Sequence, residues 1–208
     1  MTHDEIAALF TRSDGKYTFA RWGRPIAPVV FGVDDATLGT VKGAIEAVAR
    51  LARLEITEMD PELGVNLMVF FLRDWDELRS VPDLDRLIPD LGSLLDRLQA
   101  SGANQYRVFR FDGGNAIRAA FVFVRLDAAL SAVPAEDLAL AQAVQTVLLW
   151  SDRAFTDRSP LGRTEAGHVI LRPDIGDLVR AAYDPILPSY ADDPAHALRL
   201  AARMGRVA

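Results

Sequence analysis

Two glutamines, Gln142 and Gln145, stand about one helical turn apart in the run "LALAQAVQTVLLWSD" at 138–152. At helical spacing Leu138, Gln142, Gln145, Leu149 and Asp152 share one stripe, while Leu140, Val144 and Val147 cover another. With apolar residues on both sides, the amides have little access to water. A buried amide without partners costs ~1 to 3 kcal/mol, so partners are required. Two arrangements supply them. The glutamines either bond to each other or to the backbone of a neighbouring strand, or they line a pocket together with Asp152. An amide moves no proton at neutral pH and is a weak, neutral metal ligand, so such a pocket would bind and would not do acid–base chemistry.

Other chemistry-bearing residues form weaker patterns. His3, His168 and His196 lie in different parts of the chain, with no spacing that suggests a shared metal. His168 is the best placed of them, because it opens the apolar run "HVIL" after a long polar loop and could face the glutamine helix. Ser101, Ser151 and Ser159 lack the Gly-x-Ser-x-Gly elbow of a serine hydrolase. "DGGN" at 112–115 has no lysine and no following helix, so it is a hairpin turn and not a phosphate loop. "RDWDEL" and "DLDRL" lack the spaced oxygen ligands of a calcium loop and read as solvated faces. The one alternative hydrolytic set is Asp152, Asp157, Glu165 and His168, all within the 151–168 loop region.

Composition narrows the classes further. At 208 residues with 50% hydrophobic content, the chain can bury a sizeable core without staples, and the expectation is a single domain over 1–208. Cysteine is absent, which removes disulfides, thiolate nucleophiles and thiolate metal sites. A net charge of -6, with arginines interspersed among acids, argues against a nucleic-acid partner. The N-terminus "MTHDEIAALF" has no basic region followed by an apolar run, and no stretch approaches the ~18 uncharged apolar residues of a membrane span. The chain as it stands reads as soluble and cytoplasmic, with an exported location open if a signal segment has been removed.

The elements that must position these residues alternate in type. The pattern predicts a helix over 3–11, strands in "KYTFARW" and "IAPVVFGV", and a helix over 36–53 capped by Asp34 or Asp35. Strands follow in "LEITEM" and in "VNLMVFFL", the latter apolar enough to be central. A helical stretch over 83–101 should break at Pro89, and "QYRVFRF" and "NAIRAAFVFVRL" form a hairpin. The glutamine helix starts near Pro134, with Glu136 and Asp137 favourable in its first turn. A polar loop runs over 151–167, then a helix over 174–183, an extended turn over 186–192 with Tyr190 packed inward, and a last helix after "DDP" at 192–194.

Four features share an order with a known family: Arg21 and Trp22 before a strand, "VNLMVFF", "FDGGNAIRAAFVFV" ahead of the long helix, and Tyr183, Asp184 and Pro185 inside "DLVRAAYDPILPSYADDPAHALRLAARM". From about Arg21 to Met204 the chain resembles a domain family of unknown function found mainly in proteobacteria, which is itself similar to the zincin metalloprotease fold. The resemblance implies an α+β, zincin-like domain: a mixed sheet of at least four strands with helices packed on one face, 36–53 and 135–150 together on that face. It also implies that Ala141, Gln142 and Gln145 occupy the positions of His-Glu-x-x-His, with Asp152 at a following aspartate position. A zincin needs two histidines on one helix face for zinc, and a glutamate as base for the metal-bound water. Alanine and two glutamines supply neither, so no metal or cofactor is expected and the chain is not a zinc metalloprotease of the usual kind. The expectation is a catalytically inactive zincin-like binding or interaction module. Its candidate pocket comprises Gln142, Gln145, Asp152 and His168, and it would take a peptide, an envelope component or a partner protein. The alternative is a hydrolase with an unusual site in the 151–168 loop region.

Overall fold

Thr2 opens the first helix reciprocally: its hydroxyl accepts from the Glu5 N–H while the Glu5 carboxylate accepts from the Thr2 N–H, which fixes the start of α1 (His3–Phe10). The structure, a computed structural model, describes residues 1–204. After a two-residue strand β1 (Phe19–Ala20) comes β2 (Pro28–Phe31). It ends at Gly32, whose φ of +82° and contact with the Phe71 carbonyl leave no room for a side chain. The turn delivers Asp34 as cap of α2 (Asp35–Leu51), which buries Val41, Ile45, Val48 and Ala49. Next is β3 (Leu67–Leu72), followed by a 3-10 turn at Trp75–Ser80, the short α3 (Leu84–Leu87) and α4 (Leu91–Ala100). The break between these two helices falls at Pro89, as its missing N–H requires.

The predicted hairpin is present as β4 (Gln105–Phe111) and β5 (Ile117–Arg125). In its turn the Asp112 carboxylate accepts from the Gly114 and Ala116 N–H groups. There follow α5 (Ala128–Ser131), α6 (Ala135–Val147), β6 (Leu161–Arg163), β7 (Val169–Leu171), α7 (Pro173–Ala182), β8 (Tyr190–Ala191) and α8 (His196–Met204). Tyr190 is partly buried against the main core, and its strand pairs with β1. The segment "LEITEM" forms no strand. The chain turns sharply just before it, at Arg53, where φ is 54°, and the segment contributes one bridge, Ile56 to Ile26.

The fold is α+β, with a four-stranded mixed sheet in the order β2-β3-β5-β4. The first three strands are parallel, and β4 runs antiparallel to β5 at the edge. Helices α2 and α6 pack against each other on one face, within a core that also holds residues of α1, α7 and α8. The opposite face is covered too, by the Trp75–Ser80 turn, α3 and α4. There Phe70, Leu72, Phe121 and Phe123 meet Trp75, Leu78, Leu84, Ile88, Leu91 and Leu95. The physical reason lies in "LMVFFL" and "AAFVFV": these strands are apolar on both sides, so both faces need cover.

Candidate functional site: a groove beside the sheet edge

Helix α6 carries no C-terminal glycine, and its last carbonyls are met by aromatic side chains from elsewhere. Trp150 Nε1 donates to Val144 O (2.8 Å), Trp22 Nε1 to Thr146 O (3.0 Å), and the Tyr183 hydroxyl to Val147 O (2.7 Å). Leu148 is already extended and bridges Arg21, and the Leu149 N–H donates to Ala20 O. Long-range pairing with the β1 region thus ends the helix at Val147. The stripe expected to run on to Asp152 stops there.

The two glutamines have different surroundings. Gln142 is buried; its Nε2 donates to Gln105 Oε1 (2.8 Å) and its Oε1 accepts from Arg107 Nη2 (2.5 Å). Gln145, half-buried, has no side-chain hydrogen bond to a described residue. Both line a depression of about 480 Å³ between α6 and β6, together with Ala141. Gln145 also lines a second groove of about 630 Å³ that runs beside β4 and is closed on its far side by Leu149–Asp152, Ala154 and Phe155.

The geometry of β4 gives that groove its character. The Arg125 N–H donates to Asn104 O (2.8 Å), and the pairs Gln105–Val124 and Tyr106–Phe123 continue in register. Hydrogen-bonded and non-bonded pairs alternate in an antiparallel ladder, so Tyr106 and Val108 bond to β5. The backbone N–H and C=O groups of Gln105, Arg107 and Phe109 therefore point to the open edge. Five consecutive residues, Gln105 to Phe109, line the groove. Across from them the Phe155 ring meets Trp150 edge-on (4.9 Å), and Trp150 stacks on Phe10 (5.3 Å). Phe155 adopts φ of +65°, a left-handed conformation that an aromatic residue rarely takes.

Asp152 sits on the rim, where its carboxylate accepts from the Ser13 hydroxyl and the Ser13 N–H. These two bonds, the hydroxyl first, hold it below the usual carboxylate range. His168 lies apart from this groove, exposed at the β6–β7 turn with its N–H on the Thr164 hydroxyl. Glu165 is exposed on the same turn, and Asp157 is exposed in the preceding loop. Of Asp152, Asp157, Glu165 and His168, only Asp152 lines the groove. Among the described residues no group of three or more His, Asp or Glu side chains is close enough to hold a metal ion.

Sequence reasoning passed over Gln105 and Arg107, reading "QYRVFRF" only as a strand. The signal was in its alternation: residues 105, 107 and 109 project to the α6 side, so an arginine at 107 had to face the helix that carries the glutamines. Comparison with protein-family models, with curated proteins and with solved structures gives no match. No helix of the described residues is long and apolar enough to cross a membrane.

Proposed function

We propose that this chain is a non-catalytic binding module of zincin-like descent, and that its groove beside β4 takes an extended segment of a peptide or protein partner. The observation that carries the reading is the unpaired outer edge of β4, whose backbone donors and acceptors at Gln105, Arg107 and Phe109 face a groove with an aromatic wall. A strand added to such an edge gains main-chain hydrogen bonds, and the groove sorts its side chains. The pairing of α2 with α6 on one sheet face supports the zincin-like descent. Catalysis is discounted because, on that resemblance, Ala141, Gln142 and Gln145 would take the places of two zinc-binding histidines and a glutamate base, and supply neither function.

Peptides selected from a random phage-displayed library against the immobilised protein provide the test, read by amide hydrogen exchange in NMR. In the free protein the N–H groups of Gln105, Arg107 and Phe109 should exchange faster than those of Tyr106 and Val108, which the ladder with β5 protects. A selected peptide should slow all three. A peptide that binds while leaving these amides at their free rates, or a library that yields no binder, removes the reading.

A further inference from the structure

Arg107 is a charged side chain folded into the wall of the groove without a counter-charge. Its Nη2 donates to two neutral amide oxygens, those of Gln142 (2.5 Å) and Gln105 (3.3 Å). Its Nε is shut off from solvent and has no hydrogen-bond partner among the described residues. Nη1 also lacks one but is not sealed in the same way. No described carboxylate comes within 4.0 Å. Burial alone pulls the guanidinium down to about 10, with no nearby charge opposing the shift. Most other partly buried arginines differ: Arg24, Arg118, Arg125, Arg172 and Arg180 each sit beside an aspartate or glutamate, while Arg21 and Arg110 donate to the backbone carbonyls of Leu187 and Leu87, and Arg21 also lies over the Tyr183 ring. A desolvated cation held by amides alone is costly, and the missing partner is an anion.

We propose that the groove binds a carboxylate of its partner at Arg107, positioned by the amides of Gln105 and Gln142. This rests on the groove being a binding site for an extended segment, and it adds the chemical class of the group recognised there. Nη1, the one guanidinium nitrogen neither sealed nor already donating, offers a charge-assisted hydrogen bond that suits a monoanion. A phosphate dianion would find no second buried cation, because Arg12, the other cation lining the groove, is exposed, and Asp152 lies in the same groove. The carboxylate can come from the C-terminus of the segment or from an acidic side chain, while the Trp150 and Phe155 rings offer an adjacent apolar surface.

Two pairs of small probes test this on the intact chain: N-acetyl-phenylalanine against its amide for a C-terminal carboxylate, and N-acetyl-phenylalanyl-aspartyl amide against its asparaginyl counterpart for an acidic side chain. Binding is read from the Arg107 Nε–H signal in nitrogen-15 spectra. At least one acid should shift that signal saturably and bind about tenfold or more tightly than its neutral partner. In Arg107→Met the acid and amide should bind alike, whereas Arg107→Lys should keep part of the preference. Equal binding of both pairs to the wild-type protein overturns the proposal without needing any variant. So does a preference that survives in Arg107→Met, or inorganic phosphate displacing the acids at lower concentration than acetate does. If a selected peptide protects the β4 edge but the acids show no preference, the carboxylate site alone falls. If the acids shift Arg107 while no peptide protects that edge, the extended-segment reading alone falls.

Discussion

Gln142 and Gln145 differ by three positions and by the whole of their chemistry. Gln142 is sealed between Gln105 and Arg107, so Gln142→Leu takes one hydrogen bond from a charged donor and one from an amide oxygen, leaving these two only their longer bond to each other (3.3 Å). Hydrogen bonds to charged groups are worth about 1.5 to 3 kcal/mol, and a loss in that range is expected. Gln145 bonds to nothing in the described protein and looks into both grooves, so Gln145→Leu should change stability by less than about 0.5 kcal/mol. Urea denaturation with an unchanged slope separates the two. A loss above ~2 kcal/mol at Gln145 would mean that it is a structural tie and no groove wall.

The end of α6 depends on residues supplied by three separate segments. Tyr183 is the most exposed to test, because its hydroxyl has two jobs: it donates to Val147 O and accepts from the Trp22 N–H (3.2 Å). Burial, the largest influence, pushes this phenol well above its ordinary value, so it stays protonated and able to donate. Tyr183→Phe leaves both backbone groups without that partner. At about 1 to 3 kcal/mol for each stranded group, a combined loss of about 2 to 6 kcal/mol is expected from chemical denaturation. Amide exchange should also quicken at Trp22. A loss under about 0.5 kcal/mol would show that the helix end is held by Trp22 and Trp150 alone.

At the scale of the whole molecule, α8 packs on both α1 and α7, with His196 at its first turn. The imidazole is buried against Phe19 (ring centroids 4.4 Å), and neither nitrogen has a hydrogen-bond partner among the described residues. Burial first, and Arg199 second, pull its pKa from the ordinary 6.5 to about 4. Because the unfolded chain binds the proton more readily, this residue favours folding fully above pH 6.5, and that contribution is lost as pH falls from 6.5 to about 4. At about 1.36 kcal/mol for each pH unit between the two values, the loss is on the order of 3 kcal/mol. Asp34, Asp60, Asp127, Asp152 and Asp174 are all held below the usual carboxylate range, so their contributions fade lower, around and below pH 4. Urea midpoints between pH 7.5 and 4.5 should fall in wild type and lie nearly flat in His196→Leu. Parallel curves for the two proteins would assign the acid sensitivity elsewhere.

Much of the fold was legible because it rests on local rules. Pro89 split its helix, Asp34 capped α2, "DGGN" turned the hairpin, and the largely apolar "VNLMVFFL" went to the centre of the sheet. Each is decided by a missing N–H, a side-chain acceptor, a permissive backbone or hydrophobic burial within a few residues. The site was legible only in part. Two buried-looking glutamines announced that polar partners were needed, yet the sequence could not say that one would be claimed by Arg107, 35 positions earlier. Nor could it end α6 at Val147, since periodicity continues through Asp152 and only pairing with the β1 region, fastened by Trp22, Trp150 and Tyr183, competes with it. Periodicity assigns residues to faces, but which faces meet, and which carbonyl or charge is left for a distant side chain to satisfy, is set by tertiary packing. His168 went to an exposed hairpin turn and Arg107 into the groove for that reason, because strand register and helix contact are long-range quantities that no local window contains.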